Sequence, residues 1–216
     1  MSRSWWLRAA ASLCALGLAE ARPVSYPEAW TAQTFNEAGR SVALLHYTLD
    51  LRFAVGLRVE DRGDADHLFV GPQANRLLKR WNAPDAQGNL YLKLAGGAAR
   101  GRFGGAEDET RAAAMAELAG DWEDRRFFVS GAARAYLTEG DAMTEQSARL
   151  GVALYVAEYG ALHSWVMVQI DHRPDRLDGK DAVSVTPLLR LFKGPVLVEA
   201  GYGTDDNALF NLTYRF

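Results

Sequence analysis

The sequence predicts an all-β fold, a transmembrane antiparallel up-and-down β-barrel of about twelve strands, with ten as the alternative. Three observations lead to this prediction. The chain begins with an export signal, apolar and polar residues then alternate over segments of about 9–13 residues, and the alternation continues to the last residue, Phe216. A tilted strand of that length matches the thickness of a bilayer.

Composition narrows the possible functions. The chain has 216 residues, of which 49% are hydrophobic, so it has enough apolar side chains for a folded domain and too many for a disordered one. Its net charge of -3 provides no basic surface for a nucleic acid. The single cysteine, Cys14, excludes a disulfide framework and a Cys-based zinc cluster.

The N-terminal segment, residues 1–21, has the pattern of a secretory signal peptide. Two arginines precede an uncharged apolar run at residues 9–18, and small residues occupy the two positions that a signal peptidase reads. The run is too short to cross ~30 Å of hydrocarbon. We therefore expect cleavage before Arg22 and a single barrel domain at residues 22–216.

The period-two pattern divides the rest of the chain into strands and connections. The predicted strands are 29–36, 41–48, 51–60, 66–78, 89–97, 111–122, 125–137, 145–157, 160–172, 182–192, 195–202 and 207–216. An even number closes a barrel with both termini on the periplasmic side. Short periplasmic turns are predicted at 49–50, 123–124, 158–159 and 193–194, and longer outer loops at 98–110, 138–144 and 173–181.

Three stretches fit this pattern less well. Residues 107–120 have helical propensity, and a strand is predicted from residue 111 because the barrel needs an even count. Pro72 and Pro187 fall inside predicted strands, where each lacks an N–H for the ladder, so a bulge is expected at each. The connection 79–88 is long for a turn; a short helix there would leave ten strands.

The alternation also predicts which side chains face lipid. Val152, Val168 and Leu212 fall on the apolar face of their strands. Aromatic residues near predicted strand ends fit girdles at the two membrane interfaces, with ordinary core packing as the alternative; they are Trp30, Trp81, Trp122, Tyr155, Trp165, Tyr202 and Tyr214.

The C-terminus carries a resemblance. Apolar side chains recur at every second position through Phe210, Leu212, Tyr214 and Phe216, which resembles the C-terminal signature of bacterial outer-membrane β-barrels. The chain also resembles an uncharacterised family of proteobacterial outer-membrane β-barrel proteins over the stretches Arg22–Pro27, Leu78–Asn82, Tyr159–Trp165, Asp171–Pro174 and Leu191–Gly194. The resemblance implies a barrel in the outer membrane of a Gram-negative bacterium, with outer-membrane lipid and the barrel assembly machinery as partners. It brings no activity.

The polar face of the strands predicts the content of the barrel lumen. The predicted lumen residues are His46, Arg52, Arg58, Glu60, Lys93, Glu117, Asp121, Arg134, Arg149, His163, Gln169, Asp171, Arg190, Glu199 and Arg215. Seven bases and five acids give a lumen of mixed sign. We interpret it first as a plug of paired charges in a structural barrel, and second as a narrow passive channel for small solutes.

Other function classes have weaker support. Ser164 and His163 are neighbours and point to opposite faces of a strand, and no GxSxG or HExxH motif occurs, so no catalytic residues are predicted. A metal at His46 and His163 with Asp171 has no support from spacing, and no cofactor is expected. A barrel that binds a ligand or a lipid through its outer loops remains an alternative, and a barrel enzyme a weaker one.

Overall fold

A computed structural model of the chain describes residues 24, 26–37, 39–103, 108–158 and 160–216. The predicted signal peptide and its cleavage position lie outside these residues. The twelve strands are β1 Trp30–Glu37, β2 Arg40–Asp50, β3 Phe53–Arg62, β4 His67–Asn82, β5 Ala86–Gly101, β6 Glu109–Asp124, β7 Phe127–Thr138, β8 Asp141–Ala153, β9 His163–His172, β10 Val183–Lys193, β11 Val196–Tyr202 and β12 Ala208–Arg215.

The strands form one closed antiparallel barrel in which each strand pairs with its neighbour in sequence and β1 pairs with β12. Two backbone bonds complete the closure: the Trp30 N–H donates to the Phe216 carbonyl (2.9 Å), and the Phe216 N–H donates to the Trp30 carbonyl (3.0 Å). Closure leaves no free sheet edge. The twelve-strand prediction is confirmed. We call the end that holds Trp30 and Phe216 the terminus end, and the opposite end the loop end.

The two faces of the barrel wall have the distribution of a membrane barrel. Large apolar side chains are exposed on the outer face, among them Leu57, Val168 and Leu212, while polar side chains such as Glu60 and Asn75 are fully buried inside. A soluble sandwich would place its apolar face inside. None of the described residues belongs to a helix that is long and apolar enough to cross a membrane.

Exposed aromatic side chains surround the terminus end. Trp30, Trp81, Trp122, Tyr155 and Tyr214 all lie there with at least two fifths of their surface exposed, as expected of an interfacial girdle. Tyr202 is exposed at the end of β11 that faces the loop end. The girdle prediction is wrong for Trp165, because its ring is buried inside the barrel against Phe128 and other apolar residues.

Two of the difficult stretches become regular strands. The segment with helical propensity belongs to β6, Glu109–Asp124, where pairing with β5 and β7 overrides the local preference. The connection 79–88 is mostly strand, because β4 continues to Asn82 and β5 begins at Ala86, which leaves residues 83–85 as a turn. The ten-strand alternative is therefore wrong.

The proline bulges are not observed. The β3–β4 register runs through Pro72 and the β9–β10 register runs through Pro187 without a shift. Next to Pro72, β4 and β5 approach closely at glycines: a methyl group on Gly71 would lie 2.3 Å from the Gly96 carbonyl oxygen, and one on Gly97 would lie 2.1 Å from the Val70 carbonyl oxygen. Gly97 and Gly101 thus allow close strand packing in β5, and residues 98–101, predicted as part of an outer loop, belong to this strand.

The connections differ from the prediction in two places. The β7–β8 connection is a two-residue turn, 139–140, where a longer loop was expected. The β8–β9 connection spans residues 154–162, where a short turn at 158–159 was expected. The remaining long connections lie at the loop end, and the β9–β10 connection, residues 173–182, is the longest of them.

Apolar side chains fill parts of the lumen at both ends. At the loop end, Phe69, Met115 and Tyr136 form the centre of a buried cluster on the β4–β8 side. At the terminus end, Val24 from the segment before β1 is buried against Ala54, Leu77 and Tyr91. A third cluster of this kind surrounds Met167.

Candidate functional site in the barrel lumen

The structure places most of the predicted lumen residues on the inner face of the wall. His46, Arg58, Glu60, Glu117, Gln169, Asp171, Arg190 and Glu199 are buried there, and Lys93, Asp121, Arg134 and Arg149 line the lumen partly exposed. His163 and Arg215 lie at the terminus end of the inner face, where the His163 ring is 5.7 Å from that of Phe192. Arg52 corrects the prediction: β3 begins at Phe53, and Arg52 is exposed in the turn before it.

Glu145 of β8 is the centre of an ion network in the loop half of the lumen. Its carboxylate accepts a hydrogen bond from Arg40 of β2 (2.7 Å), one from Arg62 of β3 and one from Arg134 of β7 (3.1 Å). All four side chains are at most 13% exposed. Hydrogen bonds between charged partners are the strongest class in proteins, and burial removes competing water.

Two further glutamates extend this network. Glu60 of β3, which is fully buried, pairs with Arg58 at 2.7 Å and faces Arg134 at 3.8 Å. Glu117 of β6 accepts from Arg134 (2.7 and 2.5 Å) and from Lys93 of β5 (2.6 Å). We call these eight residues the transverse network: Arg40, Arg58, Glu60, Arg62, Lys93, Glu117, Arg134 and Glu145.

The transverse network crosses the lumen from wall to wall. In the closed order of twelve strands, β2 and β8 are six positions apart, so the Arg40–Glu145 pair joins opposite walls. Glu60 and Arg134 stand on strands four positions apart. Direct contact between such distant strands means that side chains reach across the lumen at this level.

A second group of side chains on β8–β12 joins this network. Arg149 donates to Glu199 (2.7 Å) and to Gln169, and Arg190 also donates to Glu199 (2.6 Å). The Gln169 amide donates to Glu37 of β1 (2.5 Å), and Glu37 in turn accepts from Arg40 (2.8 Å). The polar contacts are therefore continuous around the inner wall.

Two cavities border the transverse network. The larger, of about 220 Å³, is lined toward the terminus half by residues such as Gln33, Asp121 and Thr213. The smaller, of about 30 Å³, lies toward the loop end beside Arg173. Arg40, Glu117 and Arg134 line both cavities, and we call these three side chains the partition.

The structure brings together no catalytic or metal-binding group from the sequence alternatives. His46 lies on β2 and His163 on β9, and the described part of the chain holds no cluster of three His, Cys, Asp or Glu side chains arranged for a metal ion. The Ser164 hydroxyl contacts the Tyr155 hydroxyl at 3.1 Å. Absence of an enzymatic activity stays a prediction.

Arg40, Arg62 and Glu145 are functional candidates that the sequence interpretation missed. Arg40 and Arg62 fell just outside predicted strands, and Glu145 was the first residue of one. A signal was present, because charged residues continue the inward alternation of β3 through Arg58, Glu60 and Arg62. Their cross-lumen partners are not encoded in local spacing.

Comparisons with known proteins give structural similarities and no family. No protein-family model matches the sequence, and no curated protein is significantly similar to it. Among solved structures, the chain is similar to the KdgM porin (9% identity, TM-score 0.49, 87% of this chain and 98% of that one). It is also similar to the translocator domain of autotransporter NalP from Neisseria meningitidis (12%, 0.41, 98% and 94%).

A third similar structure is a loop L8 deletion mutant of OmpT, an outer membrane protein of Vibrio cholerae (12% identity, TM-score 0.29, 87% of this chain and 96% of that one). The predicted membership of an uncharacterised proteobacterial family stays a prediction.

Proposed function

We propose that the protein is a structural β-barrel of the Gram-negative outer membrane whose lumen is closed to ions. The observation that carries this proposal is the contact of Glu145 with arginines from the opposite wall. An open channel needs a continuous column of water, and the transverse network places charged side chains across the lumen where the two cavities meet. Each carboxylate of the network pairs with at least one arginine, and these ion pairs link the walls.

The outer surface supports membrane insertion. Exposed valine, leucine and isoleucine side chains cover the strands, and an aromatic girdle surrounds the terminus end. Two further features support insertion by the barrel assembly machinery. They are the export signal expected before Arg22 and the C-terminal pattern that ends at Phe216. Lipid is thus the partner of the outer face, and nothing in the net charge of -3 favours nucleic acid.

A narrow channel is the second candidate, and the larger cavity favours it. Its volume of about 220 Å³ and its polar lining suit water and small solutes. Passage would require the partition at Arg40, Glu117 and Arg134 to open. The two candidates therefore differ in whether the partition stays closed under a membrane potential.

Single-channel recording separates the two candidates. We expect the purified protein in a planar bilayer to give no steady current. Glu145→Ala removes the carboxylate shared by Arg40, Arg62 and Arg134, and their repulsion should open a path that carries steady current. The matched control is Glu139→Ala, which removes an exposed carboxylate from the β7–β8 turn and should leave the barrel silent. Steady current through the unmodified protein would favour the channel.

Fractionation tests the location independently. The barrel should occur in the outer-membrane fraction and migrate faster on a gel before heating than after it, because a closed barrel resists the detergent. The same gel shift verifies that the Glu145 variant is folded. A mainly soluble periplasmic protein would contradict the membrane assignment.

A further inference from the structure

The β9–β10 connection, residues 173–182, lies across the loop end as a lid. The N–H of Leu177 donates to the Asp64 carbonyl (2.7 Å) in the β3–β4 connection. In the closed strand order, β9 and β3 are six positions apart, so this bond joins opposite rims. Asp175 accepts from the N–H of Thr144 on β8 (2.8 Å). The lid is thus fixed at several points around the mouth.

A cluster of ion pairs gives the lid its own shape. Arg176 pairs with Asp178 inside the lid (2.6 Å) and with Asp205 in the β11–β12 connection (3.4 Å). Lys180 donates to the Asp205 carbonyl (2.8 Å). These contacts keep the lid beside β10–β12, while its far side reaches Asp64.

Asp64 differs from the other acidic residues at the lid because its carboxylate is buried and accepts no hydrogen bond. Its carboxylate is 1% exposed, and neither oxygen has a hydrogen-bond partner in the structure. It faces Arg173 of the lid at 3.7 Å and Arg62 of β3 at 3.5 Å. A buried carboxylate with ion pairs of this length and no hydrogen bonds is a poorly stabilised charge.

We propose that the lid at residues 173–182 is a pH-sensitive gate over the loop end, with Asp64 as its titratable latch, and that it is held more firmly at acid pH than at neutral pH. The lid also covers the smaller cavity, since Arg173 lines that cavity. The gate and the transverse network are then two barriers in series. This inference concerns the lid alone and stands whether or not the lumen conducts.

The burial of Asp64 explains why acid pH should favour the closed lid. Burial raises the pKa of Asp64 above its ordinary value of 3.8, and the neighbouring arginines only partly offset this. In an open lid the carboxylate would be hydrated, with a pKa near the ordinary value. Proton binding therefore favours the closed lid. This contribution is fully present below the open-state pKa and is lost as the pH rises through the closed-state pKa.

Other charged groups surround the latch. The groups that act on Asp64 from the surrounding elements are Arg62 of β3, Arg173 of the lid, Glu145 of β8 and Arg40 of β2. His67 follows on β4 with its ring stacked between Phe103 and Tyr136. Asp178 of the lid differs from Asp64, because the hydrogen bond from Arg176 lowers the pKa of Asp178 below its ordinary value of 3.8. Protonation of Asp178 would therefore weaken the closed lid, and it requires a more acid pH than protonation of Asp64. His172, exposed beside the lid, contacts Gln146 at 2.6 Å.

Distance measurement between spin labels tests the gate. Cysteines replace exposed Leu177 at the lid tip and exposed Asp61 at the top of β3, in a mature chain that has no cysteine of its own. Between about pH 4 and about pH 8, a range that begins near the ordinary pKa of aspartate and ends above that of histidine, we expect one short distance at acid pH. A longer distance should gain population as the pH rises.

Two further variants make the result specific. Asp64→Asn is neutral at every pH, so it should keep the short distance throughout the range. His172→Gln should preserve the pH response of the parent, which excludes the exposed imidazole as the sensor. The proposal is overturned if the parent shows one distribution at all pH values, if the lid opens on acidification, or if Asp64→Asn retains the response.

Discussion

Two adjacent residues at the middle of β8 test the sidedness of the barrel. Ala148 points outward and is exposed, and Ser147 points inward toward the cavity of about 220 Å³. Arginine at either position has the same size, charge and depth, because both lie near the centre of the 13-residue strand. Arginine on the lipid face near the bilayer midplane costs about 2–4 kcal/mol. At about 1.4 kcal/mol per tenfold, Ala148→Arg should raise the equilibrium constant for unfolding by about 30- to 700-fold.

The inward substitution should cost much less, since the cavity provides room for the new guanidinium and Asp171 is the cross-strand neighbour of Ser147. The measurement is a denaturant titration of the barrel folded in lipid vesicles, which compares the free energy of unfolding of both variants with that of the parent. Val168→Arg and Leu212→Arg should behave like Ala148→Arg, since both residues are exposed on the outer face. Equal damage at Ser147 and Ala148 would refute the assignment of lipid and lumen faces.

Three further predictions concern closure, packing and the lid. Deletion of Phe216 removes a backbone pair that closes the barrel, so the amount of protein in the outer membrane should fall, whereas Phe216→Trp should leave that amount unchanged. Equal amounts of the deletion variant and the Phe216→Trp variant would contradict this prediction. Gly71→Ala should lower the free energy of unfolding by about 1–3 kcal/mol through overpacking, and Gly96→Ala, with nothing within 4 Å of its added methyl, should not. Because Arg176 lowers the pKa of Asp178, the Arg176–Asp178 pair stabilises the lid above the ordinary carboxylate pKa, and this stabilisation is lost as the pH falls through the lowered pKa. The melting temperatures of Asp178→Asn and the parent should therefore approach each other only in that acid range.

The number of strands and the face of most side chains were predictable because both depend on neighbours in sequence. Residues two apart on a strand share a face, so the alternation alone is enough to place Arg58 and Glu60 inside the barrel. Strand ends were less predictable. Arg52 and Trp165 show this, since one lies in a turn and the other packs inside the barrel near the start of β9.

The partners across the lumen were not predictable. Which residue of β8 meets Arg40 depends on the stagger of all the strands between them, a property of the closed barrel and not of any segment. The same holds for the lid, whose contact with Asp64 joins two connections from opposite rims. Sequence spacing predicts neither contact.

The pairing of Arg40 with Glu145 also has a consequence for the order of events during biogenesis. The two residues are 105 positions apart in the chain, so they meet only after eight of the twelve strands are in place. Until then, Arg40 and Arg62 lack the carboxylate that they share, and their remaining partners are Glu37, Glu60 and Asp64 from the first part of the barrel. Strand-by-strand entry into the bilayer therefore leaves these charges incompletely paired, whereas a nearly complete barrel that enters as a unit has Glu145 in place.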